Sequence, residues 1–288
     1  MEVSTLRLPE EFRRSLKKYA DKRPVMRLLR KGNLSTVCEE ARCPNIGECF
    51  GNKTATFMIM GDRCTRRCKF CAVTTQKPRA LDPKEPHAVA HAAKELGLDF
   101  VVITCVDRDD ISDCGTGHFV KVVETVHSEL PHAKIEVLTS DFQGKLDLVE
   151  SLCASPIDVF GHNIETVERL YKSLRPQSEF ATSLGVLRHA AQVFQGVVKS
   201  GMMVGVGETD DEVCHTLEQL YGVGVKVVTI GQYLRPSLKH WPVARYVNTN
   251  SYERFVSFGK ALGLKKVVAG PFVRSSYHAK ETHENLLV

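Results

Sequence analysis

Four things are missing from this sequence of 288 residues, and each absence removes a class of function. No apolar run approaches the ~20 residues that a bilayer-spanning helix needs, so a membrane helix is not expected. The start, MEVSTLRLPEEFRRSLKKYADK, has no apolar core of the secretory kind. It also carries Glu10, Glu11 and Asp21, which argues against a transit peptide, and a cytoplasmic protein is expected. Charge excess is small: 39 Lys and Arg against 34 Asp and Glu, or +5. That tolerates an acidic partner without requiring one, and no basic stretch interleaved with aromatics marks a nucleic-acid surface. Low-complexity tracts are absent as well. A hydrophobic content of 43% with 25% charged residues is that of a globular chain with a core.

Cysteine, by contrast, is abundant. There are ten, and six fall between residues 38 and 71. In a reducing compartment, clustered cysteines favour metal ligation or catalysis over disulfides.

From residue 55 onward, short apolar runs alternate with helical patterns. The runs are ATFMIM (55–60), DFVVITC (99–105), KIEVLTS (134–140), IDVFGHN (157–163), VVKSGMMVG (197–205) and VKVVTIGQ (225–232). Helical periodicity falls near 84–97, 116–130, 143–154, 166–173, 179–194 and 209–223, and SYERFVSFGKALGL with KKVVAG repeats the unit once more. About six strand–helix units imply a parallel sheet with helical crossovers. Closed barrel, open barrel and doubly wound sheet all fit that alternation. Six units are fewer than the eight of a full barrel, which favours an α/β partial (β/α)6 TIM-like barrel. Its body spans 53–245. An N-terminal extension, 1–52, with a helix at roughly 9–20, and a C-terminal extension, 246–288, are expected to cover the barrel mouth.

The segment CTRRCKFC follows the first strand directly, where the active end of such a fold lies. Cys64, Cys68 and Cys71 offer three soft ligands on one short loop. A structural zinc site wants four closed ligands. A [4Fe–4S] cube held by three thiolates keeps one iron open for a small molecule. Arg63, Arg66, Arg67 and Lys69 would offset the cluster's negative charge and lower the thiol pKa values. A zinc knuckle completed by a distant histidine or cysteine is the competing reading. Upstream, CEEARCPNIGEC spaces Cys38, Cys43 and Cys49 as a second triplet, which suggests either a second cluster or a zinc-stabilised extension.

The C-x3-C-x-F-C loop after the first strand resembles the radical S-adenosylmethionine enzymes. With the upstream triplet and the late segment GPFVRSSYHA, the chain resembles the lipoyl synthase family. TVCEEARCPNIGECF, VDRDD, IDVFGHNIETVERL, SGMMVGVGET and TIGQYLRPS extend the likeness from about residue 30 to about 280. The resemblance implies two [4Fe–4S] clusters and S-adenosyl-L-methionine. Cys64, Cys68 and Cys71 would hold the cluster that cleaves the cofactor. Cys38, Cys43, Cys49 and Ser276, with Ser275 as the alternative, would hold an auxiliary cluster that gives up sulfide.

The implied reaction inserts two sulfur atoms, at C6 and C8 of an octanoyl chain on a lysine of a lipoyl carrier domain. That carrier would be a 2-oxoacid dehydrogenase E2 or a glycine cleavage H protein. A flavodoxin or ferredoxin would supply electrons, and an iron–sulfur carrier would rebuild the spent cluster. Sharing one cluster, the N-terminal triplet and the RSSY segment must meet. Asn163 and Glu165, Asp113, and Gly205 and Gly207 are the expected cofactor contacts. Gln232, Arg235 and His240 are the expected contacts to the acyl carrier. The chain departs from the family where D-G-G reads Asp113-Cys114-Gly115, where Cys105 replaces a small residue, and at Asn248-Thr249-Asn250 after RYV. Cys114 questions the local backbone, because glycine reaches angles that cysteine seldom does.

Overall fold

A computed structural model of the protein describes residues 9–10, 22–52 and 54–284. The helix expected at 9–20 therefore lies, beyond residue 10, outside the described residues.

The parallel strands are β2 (Thr56–Ile59), β5 (Phe100–Cys105), β6 (Lys134–Leu138), β7 (Val159–Gly161), β8 (Val197–Val204), β9 (Val227–Gln232) and β10 (Lys266–Gly270). They pair in that order, each parallel to the next. At one edge the short β1 (Ser35–Thr36) adds antiparallel to β2. Among the described residues β10 does not pair back to β1 or β2, so the barrel stays open. The six runs read from sequence are β2 and β5 to β9, and KKVVAG supplies β10 as a seventh parallel strand.

These strands read as continuous apolar runs because both faces are covered. All four residues of β2 and all six of β9 are buried. The crossover helices carry local stop and start signals. Pro86 opens the helix Glu85–Leu96, and Gly97, at φ +67°, ends it in the left-handed conformation that lacks a Cβ penalty. Thr209 and Glu212 exchange hydrogen bonds as a capping box at the helix Asp210–Gly222.

Alternation along each strand decides what faces the barrel axis. Thr104, Leu138 and Gly201 line a central cavity. Two residues earlier on the same faces stand Val102, Glu136 and Lys199, one layer deeper. Lys199 Nζ lies 2.7 Å from Glu136 Oε1, and both side chains are buried. Phe100, Val102 and Val159 pack with Ala279. The C-terminal helix Ala279–Glu284 thus stops the lower end of the open barrel.

Because the strands run one way, the segments after β2, β5, β6, β7, β8 and β9 all emerge at one end. There β3 (Arg63–Cys64) pairs parallel with β4 (Thr74–Thr75), with Cys64 opposite Thr75, and pinches the base of the cysteine loop.

Candidate active site

The cysteine loop leaves β2 through two left-handed residues, Met60 at φ +69° and Gly61 at φ +92°. Thr65 N donates to Asp107 O at 3.1 Å, Lys69 N to Leu174 O at 2.8 Å and Cys71 N to Cys68 O at 3.1 Å. The deepest anchor is Arg66, only 4% exposed. Its guanidinium forks onto Asp109 (2.7 and 2.8 Å) after β5 and onto Asp141 (2.6 and 2.6 Å) after β6, and it reaches Ser178 Oγ at 3.0 Å. One side chain ties the loop after β2 to the next two loops of the barrel.

This corrects the sequence reading of the loop's cations. Arg66 is spent on carboxylates, Arg67 and Lys69 are exposed, and Arg63 leans toward Asp62 at 3.9 Å. Burial dominates the thiols, pushing Cys68 up to about 11 and Cys71 up to about 12, and Cys64 is driven up by burial and by the Asp107 carboxylate. Arg175 works against this at Cys68, and backbone hydrogen bonds at Arg66 and Val73 do so at Cys64 and Cys71. The thiols are thus neutral on their own, and loading of metal must expel their protons.

The second triplet is shaped by short helices. Thr36 caps Val37–Glu40, which carries Cys38, and Ile46–Gly51 carries Cys49, with Cys43 between them on the turn. Burial raises Cys38 to about 11 and Cys49 to about 12, with neighbouring thiols of the triplet adding to both. As the shared-cluster argument requires, this segment meets the end of the chain. Asn45 Nδ2 donates to Phe272 O at 2.7 Å, Tyr277 OH to Glu48 Oε1 at 3.1 Å and Thr56 Oγ1 to Ser276 Oγ at 2.8 Å. Thr56 also hydrogen bonds the Cys38 thiol, so Ser276 and Cys38 share a neighbour. Ser275 turns the other way, accepting from Asn163 Nδ2 at 3.1 Å.

Cysteines of both triplets open on one cavity of about 350 Å3. Cys64, Cys68 and Cys71 stand in its wall with Cys38, Cys43, Ser275 and Ser276, while Cys49 is half-buried and not part of that wall. Among the described residues no three His, Cys, Asp or Glu side chains converge to hold a single metal ion. A cube has its irons at separate corners, each taking one thiolate, so its ligands need not converge. Two buried atoms in the wall lack hydrogen-bond partners, Asp107 Oδ1 and Arg175 Nε. A soft donor set beside a carboxylate and a guanidinium that each keep one atom without a hydrogen bond fits a thiolate-bound cluster with a zwitterionic ligand upon it.

Asn163 and Glu165 are in the wall as expected. Asn163 Nδ2 donates to Glu165 Oε1 at 3.2 Å, and Glu165 is held at φ +66°, a conformation a non-glycine residue keeps only under constraint. Its backbone is clamped by Gly201 O (3.0 Å) and Met203 N (2.8 Å). Burial raises its carboxyl, and Arg175 opposes the shift.

Other candidates are placed differently. Asp113 lies outside the wall, its carboxylate taking Gly115 N and Gly117 N, each at 3.0 Å. Cys114 is held at φ +49°, in the left-handed region that favours glycine. Gly205 and Gly207 are outside the wall too. Their N–H groups, with that of Val206, wrap the buried Glu208 carboxylate at 2.7 to 3.1 Å. A Cβ on Gly205 would lie 2.0 Å from Gln232 Nε2, so this glycine admits a protein side chain. Gln232 itself is in the wall, but its amide is occupied by Arg245 O, Tyr233 O and Val247 N. Arg235 folds onto His240 O and Leu238 O, and His240 onto Ser237.

Sequence reasoning missed Arg175, which no motif flags, and Glu208, whose role appears only when three successive amides surround it. It also missed His162 as a structural group. Nδ1–H of His162 donates to Thr139 O at 3.0 Å, and Nε2 accepts from Ser183 Oγ at 2.8 Å. Tyr171 and Arg175 extend that chain, with Arg175 Nη1 donating to Tyr171 OH at 2.5 Å. Burial, with help from Arg175, depresses His162 to about 4 from its ordinary 6.5. The unfolded chain therefore binds this proton first, and His162 contributes stability that is present above pH ~6.5 and lost as the pH falls toward ~4. In urea midpoints measured across that window, a His162→Gln variant is expected to show a flatter pH dependence than the parent.

This architecture, an open parallel barrel with a three-cysteine loop at the carboxyl end of its first strand, defines a class: the model of the Radical SAM superfamily matches residues 58–220. Within it the chain belongs to the lipoyl synthase family. It is 48% identical over 264 residues to a lipoyl synthase of Rubrobacter xylanophilus, covering 91% of this chain and 82% of that one. To a lipoyl synthase of Nitrosospira multiformis it is 49% identical over 263 residues, covering 90% and 83%. Among solved structures it resembles, in fold alone, the FeFe-hydrogenase maturase HydG of Carboxydothermus hydrogenoformans (TM-score 0.58, 15% identity, 96% of this chain and 69% of that one). A methylornithine synthase is similar in the same sense (TM-score 0.54, 17% identity, 90% and 85%).

Proposed function

We infer that this protein is a lipoyl synthase, inserting sulfur at C6 and C8 of an octanoyl chain borne on a lysine of a lipoyl carrier protein. The observation that carries the reading is one cavity whose wall holds Cys64, Cys68 and Cys71 together with Cys38, Cys43 and the RSSY serines. When bound, two [4Fe–4S] clusters and S-adenosyl-L-methionine supply the radical and the sulfide.

The chain's own residues do the holding. Cys64, Cys68 and Cys71 hold one cluster on a loop that Arg66 fixes rigidly. Arg175 and Asp107, each with an atom left over, offer a cation and a carboxylate to the carboxylate and ammonium of the methionine part. Asn163 and Glu165 add polar contacts beside them. Cys38, Cys43 and Cys49 hold the auxiliary cluster. Ser276 is its fourth ligand, supported by its shared neighbour with Cys38, whereas Ser275 is engaged with Asn163. Apolar wall residues, among them Met58, Leu138, Met202 and Val273, seat an alkyl chain and exclude water. The chain parts into a cluster-bearing extension (1–52), the body of the barrel (53–245) and a last segment (246–288) that adds β10 to the sheet and carries RSSY to the mouth. No helix among the described residues is long and apolar enough to cross a membrane. A cytoplasmic setting, a flavodoxin or ferredoxin as reductant and a separate iron–sulfur carrier suit this chemistry.

Anaerobic turnover on an octanoyl-lysyl peptide is expected to give one-sulfur and then two-sulfur products by mass; absence of both sinks the reading. Ser276→Ala is expected to lower iron retained at the auxiliary site, and Ser275→Ala to leave it unchanged, as measured by iron per chain.

A further inference from the structure

The segment from Tyr233 to Trp241 forms one lip of the cavity, and its polar groups are turned inward upon itself. Arg235 Nε donates to His240 O at 2.9 Å and Nη2 to Leu238 O at 2.5 Å. His240 N donates to Ser237 O at 3.0 Å, and His240 Nδ1 meets Ser237 Oγ at 2.8 Å. Tyr233 OH donates to Trp241 O, Trp241 N to Lys69 O and Trp241 Nε1 to Val206 O, all at 2.8 to 2.9 Å. A loop braced this heavily loses little freedom when something binds to it.

What it presents outward is Leu238, 73% exposed. The other exposed large apolar residues, Leu146, Val193, Tyr221 and Val256, are 36 to 46% exposed, sit on helices and do not line the cavity. Single exposed leucines are ordinary on a protein surface. This one is distinguished by standing at the tip of a rigid loop on the rim of the active cavity, among cations. Lys239 follows it. Lys69, packed 5.5 Å over the Trp241 ring, stands beside the loop. Arg42, from the N-terminal cysteine segment, reaches Pro236 O at 3.4 Å. Lys239, Lys69 and Arg42 are exposed and have no carboxylate partner among the described residues.

We propose that Leu238 and this ring of cations, Lys239, Lys69 and Arg42, form the docking surface for a folded acidic carrier domain, with Leu238 as its apolar anchor. The inference rests on the acyl-carrier reading above and deepens it. Arg235 and His240 brace the surface without touching the partner. A central apolar contact ringed by charge is the usual anatomy of such an interface. The unpaired cations speed and orient the approach of an acidic partner, so that the acylated lysine is aimed into the cavity.

The test compares two substrates of the reconstituted enzyme: an octanoylated carrier domain and a short octanoyl-lysyl peptide that carries the same acyl-lysine without the domain. Leu238→Asp and Lys239→Glu alter exposed side chains. Together they are expected to raise KM for the domain by about tenfold, to flatten its dependence on salt, and to leave kcat and KM for the peptide unchanged. Equal loss on both substrates would mean a distorted cavity and would overturn the proposal, as would no change on either. If the parent enzyme thiolates the peptide but binds the domain with no salt dependence, the docking surface is wrong while the reaction stands. If the parent thiolates neither, the reaction itself is wrong and the docking surface goes with it.

Discussion

Cys64→Ala is expected to abolish cleavage of S-adenosylmethionine, whereas Cys43→Ala is expected to leave cleavage intact and abolish sulfur insertion. The two thiols face one cavity but belong to separate cysteine triplets. Cys64 sits on the loop gripped by Arg66 and the backbone of Asp107, and Cys43 on the turn that Asn45 fastens to the C-terminal segment. Neither anchor depends on the other, so loss of one ligand should empty one site only. Iron and sulfide per chain check this apart from turnover: about eight irons in the parent and about four in each variant. Cleavage is read anaerobically as 5′-deoxyadenosine formed, and insertion as mass gained by the acyl peptide. Equal loss of cleavage in both variants would show that the triplets do not act separately.

Arg66→Met is expected to destabilise the folded protein by about 3–5 kcal/mol, the range found when one partner of a buried ion pair is removed. Asp141 is 2% exposed. Burial alone would raise its carboxyl, but the hydrogen bonds and charge of Arg66 outweigh that and hold it at about 2. With a folded value below its ordinary 3.8, Asp141 contributes stability above pH ~4 that is lost as the pH falls toward ~2. In the variant the carboxylate is buried without a counter-ion, and that contribution reverses. Arg66→Lys should rescue little, since an ammonium cannot fork onto Asp109 and Asp141 together. Arg66→Met with Asp141→Leu should recover part of the loss, because Asp141 then buries no charge, although Asp107 and Asp109 still lack their counter-ion. Urea midpoints check all three. An Arg66→Lys variant as stable as the parent would show that the fork contributes nothing.

Much of the barrel is legible in the chain because buried parallel strands leave unbroken apolar runs, and those runs recur with helical spacers. All six became strands, within two residues at each end. The trimmed residues, such as His162 and Asn163 after β7, lie past the last register pair of that ladder, Gly161 with Lys199, where polar side chains begin to serve the cavity. The cysteine spacing was equally legible, because ligands on one loop are neighbours in sequence. Charge was read less well. Four cations around CTRRCKFC look like counter-ions to a cluster, yet the most buried of them binds Asp109 and Asp141, 43 and 75 residues away. No local pattern records such a partner. The same holds for Gly205 and Gly207, whose amides turn to Glu208, and for Arg235 and His240, whose polar groups close on their own loop.

The sequence by itself determined the strand–helix order, the end of the sheet where chemistry occurs, and two sets of soft ligands, because these depend on periodicity and short spacing. Only the tertiary structure decided that cysteines of both sets open on one cavity, that Ser276 shares Thr56 with Cys38 while Ser275 bonds Asn163, and that Arg175 and Asp107 stand in the same wall. Those are pairings between segments up to about 230 residues apart, for example Glu48 with Tyr277. They are fixed by the direction in which each strand delivers its following loop, and by the need of every buried polar group for a partner.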